Sequence, residues 1–281
     1  MFKRVIIFIF LLTYALAADT IEREVSLGGA NPSYEDLNSA DTIKGEVSLG
    51  AYSHSPSGEA SYDIPSVGVN AATTPDDVLA WSNEKDIVFK GYIEHSIPIV
   101  PNVKVAFSSL GYKGNNEVSN FTWGQINIPL QGNIDTFLNL KMYDLTLYYQ
   151  LIDGDTEIDA GLTLKRFYGD IGVDARADLS SSSTQASYEI TDFDEFIPML
   201  YGKIKINLPE TNISLQLEAN AINYNETTFY DYEFSARYTL DVGIGIEGGY
   251  RSIHVDSKDI SDGLTLDMDF SGPFASVILE F

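Results

Sequence analysis

The sequence contains no cysteine, which excludes disulfides, thiol chemistry and lipid attachment through an N-terminal Cys. Basic residues are scarce. Lys and Arg total 17 against 41 Asp and Glu, a formal net charge of −24. A field of that sign repels phosphate backbones, so no nucleic acid is expected as a partner. Histidine occurs only at His54, His95 and His254. Beyond the first residues no apolar run approaches the roughly 18 needed for a membrane helix.

The chain opens "MFKRVIIFIFLLTYALAADT". Lys3 and Arg4 precede an unbroken apolar run from Val5 to Leu12, and Ala15-Leu16-Ala17 supplies small residues for cleavage. Residues 1–17 are therefore expected to be a secretory signal peptide, too short in its apolar core to span a bilayer. Loss of Lys3 and Arg4 leaves a still more acidic chain, long enough for one large β domain.

The dominant period is two rather than 3.6. Ten alternating segments are expected, at about 42–52, 87–97, 102–112, 134–151, 156–168, 196–207, 212–224, 228–240 and 244–254, with the tenth ending at Phe281. Short turns follow the even segments, as at "SIPIVPN", Asp153-Gly154-Asp155, "LPET" and Asp241-Val242-Gly243. Long connections, 53–86, 113–133 and 169–195, follow the first three odd ones. Turns at one end and loops at the other point to an antiparallel up-and-down transmembrane β-barrel of about ten strands, with eight or twelve as alternatives.

The segment 19–28, "DTIEREVSLG", nearly repeats 41–50, "DTIKGEVSLG". Using both as wall strands gives an odd count, so 18–40 is read as a periplasmic tail and 41–281 as the barrel. Parity changes within two strands: Leu138, Leu140 and Met142 are even but Leu145, Leu147 and Leu151 odd, and Leu264, Leu266 and Met268 give way to Val277, Leu279 and Phe281. Bulges near Tyr143-Asp144 and near Ser271-Gly272-Pro273 are expected to reconcile the faces.

The polar row carries both signs of charge: Lys44, Glu46, Lys90, Glu94, Lys104, Lys141, Asp159, Lys165, Lys203, Lys205, Glu218, Asp231, Glu233, Arg237, Glu247 and Arg251. Charges can pair inside a narrow lumen, whereas a base at the lipid midplane costs about 2–4 kcal/mol. The apolar row is thus expected to face lipid. Tyr52, Tyr112, Tyr168, Tyr224, Tyr230 and Tyr250 near strand ends, with Phe281 at the opposite rim, read as interfacial girdles.

Motifs for chemistry are weak. Gly243-Ile-Gly-Ile-Glu-Gly248 fits G-x-G-x-x-G literally, but the chain continues as strand with no helix to bind a pyrophosphate. His54, near Ser55, and His254 could meet at one rim if the first and last strands are neighbours, which would suit a surface hydrolase. Acidic residues in 53–86 and 169–195 could ligate Ca²⁺ or Mg²⁺ but lack the spacing of a known calcium loop. No catalytic, cofactor or metal site is expected.

The stretches "GEVSLGAYSHSPSG" (45–58), "EHSIPIVPNVKVAFSSL" (94–110), "YDLTLYYQLIDG" (143–154), "GLTLKRFYG" (161–169), "IGIEGGYRSI" (244–253) and "LDMDFSGPFASVILEF" (266–281) resemble an uncharacterised family of small proteobacterial outer-membrane β-barrel proteins. The resemblance covers nearly the whole mature chain, and no activity comes with it. The ending, with Val277, Leu279 and Phe281 in one row, resembles the signal read by the outer-membrane assembly machinery. Outer-membrane lipid, lipopolysaccharide and that machinery are the expected partners; the sequence sets no oligomeric state. A structural or surface-interaction role with a narrow charged lumen is expected, against a small-solute channel or an envelope enzyme.

Overall fold

The computed structural model describes residues 43–63, 72–75, 77–97, 99–180, 183–224, 227–261 and 263–281. The expected signal peptide, the tail at 18–40 and the first copy of the repeat lie outside the described residues. Among the described residues twelve strands follow one another: β1 (Lys44–Tyr62), β2 (Glu84–Glu94), β3 (Asn102–Val118), β4 (Phe121–Trp123), β5 (Ile126–Ile128), β6 (Gly132–Ile152), β7 (Thr156–Ser180), β8 (Ser183–Asn207), β9 (Ile213–Tyr224), β10 (Thr227–Thr239), β11 (Ile244–Ser261) and β12 (Leu264–Glu280). Ten of them form one closed antiparallel barrel in simple up-and-down order, with β12 pairing β1. The other two, β4 and β5, are a separate hairpin inside the connection from β3 to β6.

Short turns cluster at the end that bears Phe281. At Leu240–Ile244 the turn is closed by Leu240 N–H donating to Ile244 O (2.8 Å) and Gly243 N–H to Leu240 O (2.9 Å). Gly243 sits there at φ +81°, which explains the first glycine of the G-x-G-x-x-G match; the others continue β11. The opposite, loop end differs from expectation. Segment 169–195 is not a loop: β7 runs to Ser180 and β8 starts at Ser183, each 25 residues long. The polar composition of this segment is that of a strand whose outward row meets water.

Neither expected bulge exists. Pairing of β6 with β3 runs without a break from Asn102↔Tyr148 to Val118↔Gly132. The β11–β12 register is continuous from Ile244↔Leu279 to Ser257↔Leu266. Irregularities fall elsewhere, between Gln150 and Ile152 on β6 and between Ser257 and Ser261 on β11. Even residues of β6 point inward along the strand. Leu138, Leu140 and Met142 are buried, while Leu145 (46% exposed) and Leu147 (39%) face out. The faces never exchange; their polarity does. Near the turn end the outside is apolar and the inside charged, and near the loop end the inside is apolar and the outside polar.

The outer apolar rows run around the barrel in register. One passes through Leu49, Val277, Ile246 and Tyr238 on β1, β12, β11 and β10. Another passes through Val105, Leu145, Leu164 and Pro198 on β3, β6, β7 and β8. Tyr143, Tyr168, Phe196, Tyr232 and Tyr250 are exposed along the belt's loop-side margin. Tyr52 and Tyr112 are not part of that girdle. Both lie inside, 1% exposed, because even residues of β1 and β3 point inward.

The loop-end half is filled. Tyr52, Leu110, Tyr112, Phe167, Phe193 and Phe229 are buried there, each worth about 1.5–3 kcal/mol of transfer free energy. Two insertions close the top. Leu79 and Trp81 descend from the connection after β1, where Trp81 stacks on Tyr112 (centroids 5.5 Å, 18°) and donates to Thr136 Oγ1 at 3.0 Å. The β4–β5 hairpin buries Trp123, Ile126 and Ile128.

Candidate functional site

Beneath this apolar plug the lumen is crossed by a layer of charge. Inward positions on eight strands bring together six bases (Lys90, Lys104, Lys165, Lys203, Arg237, Arg251) and six acids (Asp144, Asp159, Glu218, Asp231, Glu233, Glu247), all buried. The chain carries −24 overall, yet this layer is formally neutral. Such groups are tolerated away from water only when paired and hydrogen-bonded.

The pairing is dense. Asp231 accepts from Arg251 Nε (2.9 Å) and Nη2 (2.7 Å) and from Lys165 (3.1 Å), and Lys165 also reaches Asp144 at 2.7 Å. Arg237 grips Glu46 with both Nη atoms (2.8 and 2.6 Å), and its Nε lies 3.2 Å from Glu247. Lys90 pairs with Glu233, and Lys104 with Glu218, which also accepts from the Tyr92 hydroxyl at 2.9 Å. Lys203 meets Asp159 at 2.9 Å. Aromatic faces complete the shell: Lys104 lies 5.4 Å from the Tyr92 centroid and 5.3 Å from that of Tyr201, and Arg251 lies 5.6 Å from Tyr52. A residual space of about 20 Å³ between Lys90, Lys104, Asp144 and Arg251 is no more than one water can use.

Of the residues assigned to the lumen from alternation, Lys90, Lys104, Lys165, Glu218, Glu233, Arg237, Glu247 and Arg251 are buried within this layer, as are Asp159, Lys203 and Asp231. Glu46, Glu94 and Lys205 are half-buried on its turn-end margin, and Lys44 is exposed at the rim. Lys141 is not inside. Without a bulge the odd residues of β6 point outward throughout, and Lys141 is exposed. The same error hid Asp144, the partner of Lys165, since a bulge placed on it removes it from the lumen row.

The two histidines do not meet. His54 is buried inside, its Nε2 3.2 Å from Asp86 Oδ2 and its Nδ1 against the Tyr112 hydroxyl. His254 lies on the outer face, stacked on Tyr230 (4.5 Å, 16°) and 3.1 Å from Asp269. The wall separates them, because even residues point inward on β1 and outward on β11. The acidic residues of 169–195 alternate likewise: Asp170, Asp192 and Asp194 face outward, with Asp194 held by Arg166 through two bonds of 2.8 Å.

Below the charge layer a polar vestibule of about 530 Å³ opens at the turn end, past Val242 and Phe281.

No family model and no curated protein matches the chain. Among solved structures it is similar to that of Ail, the attachment invasion locus protein of Yersinia pestis, in complex with the heparin analogue sucrose octasulfate. Identity is 10% and the TM-score 0.32, over 85% of this chain and 99% of that one.

Proposed function

We propose that the chain is an integral outer-membrane barrel that does not conduct, with a structural or surface-interaction role and no catalysis of its own. The observation that carries this reading is the inversion of polarity along single continuous strands. A water-soluble barrel has no use for rows of exposed Leu, Ile, Val and Tyr around a charged interior, whereas a bilayer demands that arrangement. The apolar band of an outer-membrane barrel is about 25 Å tall. Strands of 25 residues run roughly 80 Å, so β7 and β8 project well beyond it even when tilted. In this orientation the turns and Phe281 face the periplasm, and the filled, polar-walled half stands outside among lipopolysaccharide sugars.

The neutral ion layer and the apolar plug, one above the other, support the non-conducting part. The second reading, a small-solute channel, is favoured only by the vestibule. Envelope fractionation with a heat-modifiability gel tests location and folding together, and planar bilayers test conduction. Steady single-channel currents from the folded protein would sink the occluded reading, and a polypeptide folded and soluble without detergent would sink the membrane one.

A further inference from the structure

The vestibule is more than an entrance. Among the described residues its wall has a donor with nothing to donate to: Gln216 is 2% exposed, lines the cavity, and its buried Nε2 has no hydrogen-bond partner there. A buried amide N–H left unmade costs about 1–3 kcal/mol, so a site that keeps one is suited to an acceptor supplied from outside. Gln216 sits directly across the β8–β9 ladder from Lys205, one inward position nearer the mouth than Glu218.

The same cavity holds a carboxylate that no base grips closely among the described residues, although Lys44 stands opposite it on the β1–β2 ladder. Glu94, with a side chain 24% exposed, finds its nearest base, Lys203, only at 4.0 Å, and Lys203 lies closer to Asp159 at 2.9 Å. The phenol of Tyr148 donates to Glu94 at 2.8 Å and fixes the carboxylate in place without neutralising it. The cavity of about 530 Å³, within the range of small-ligand sites, therefore offers an anchored anion, and its wall holds an unused amide donor whose Nε2 is buried and would reach a ligand once the Gln216 side chain turns toward it.

We infer that this vestibule is a blind binding pocket for a short peptide with a free amino terminus. The ammonium group would pair with Glu94, and a backbone carbonyl would accept from Gln216 Nε2. The charge layer stops the ligand from travelling further. This inference rests on the lumen geometry and not on membrane location.

The test is calorimetry on the full mature chain folded in detergent, with trialanine and N-acetyl-trialanine as probes. Trialanine should bind, and acetylation should weaken binding about tenfold or more, the loss expected when a charge-assisted bond disappears. Gln216→Leu should weaken trialanine by about tenfold. Glu94→Gln keeps an acceptor for Tyr148, and should remove the preference for the free amine. If Gln216→Leu gives no heat-modifiable band, Glu94→Gln carries the test alone. No heat from trialanine at millimolar concentration, equal binding of the acetylated probe, or unchanged preference in Glu94→Gln each overturns the proposal.

Discussion

The ring of Phe281 lies over Gly45, in the space that a Cβ at position 45 would need, and the two residues exchange backbone hydrogen bonds of 2.7 and 2.8 Å. These bonds extend the β1–β12 ladder to the last residue. Deleting Phe281 leaves the N–H and C=O of Gly45 unpaired at the margin of the belt, where each unmet group costs up to several kcal/mol. Gly45→Val would push the ring aside. Both changes should lower the fraction of compact, heat-modifiable barrel, the deletion more than the substitution. Densitometry of unheated and heated gel lanes reads the effect.

Lys165 stands between Asp144 and Asp231 in the charge layer. Lys165→Met removes the base, strands the buried carboxylate of Asp144 and leaves Asp231 with Arg251 alone, at an expected cost of about 3–5 kcal/mol. Replacing Lys165 and Asp144 together by apolar residues should recover part of that loss, because Asp231 keeps Arg251. Urea unfolding in lipid vesicles, followed through Trp81 and Trp123, measures both. Equal losses for the single and double variants would contradict the pairing.

Two outward residues of β6 test the polarity inversion. Leu147→Arg places a guanidinium among exposed apolar rows and should cost about 2–4 kcal/mol in a bilayer. Asn139→Arg lies on the same face, eight residues nearer the loop end, and should change stability by no more than about 0.5 kcal/mol. Comparable penalties at both positions would mean that the belt reaches further than the exposed apolar rows do.

Trp81→Ala should open the loop-end plug. It deletes a buried indole, its stack on Tyr112 and its bond to Thr136, for about 3–5 kcal/mol locally. Limited proteolysis of folded protein should then cleave near residues 73–83, with the barrel itself intact. Conductance should stay silent, since the ion layer below is untouched.

The strand periods, the even count and the turn end were legible in sequence because alternation needs only neighbouring residues. The two parity changes are equally visible, but they do not mark bulges. Leu138-x-Leu140-x-Met142 followed by Leu145-x-Leu147 looks like a slipped strand if one face is assumed apolar from end to end. It is instead one strand crossing two environments, and no local feature distinguishes these cases. The extent of β7 and β8 was hidden for a related reason: outside the belt a strand's polar row is as rich in Asp, Ser and Thr as a loop. The plug by Trp81 and the β4–β5 hairpin depends on contacts between residues far apart in sequence, such as Trp81 with Thr136, which periodicity does not carry. Asp144 could have been found by holding parity fixed through β6 and asking which acid then faces Lys165.

The length of β7 and β8 has a consequence for how such a surface can change over time. A display built on flexible loops diversifies by gaining and losing residues. One built on paired strands cannot, because a single inserted residue would turn every side chain beyond it to the other face and spill the apolar filling outward. Drift on this wall should therefore appear as exchanges at every second position, a comb of variable sites such as 170, 192 and 194, interleaved with teeth that hardly vary.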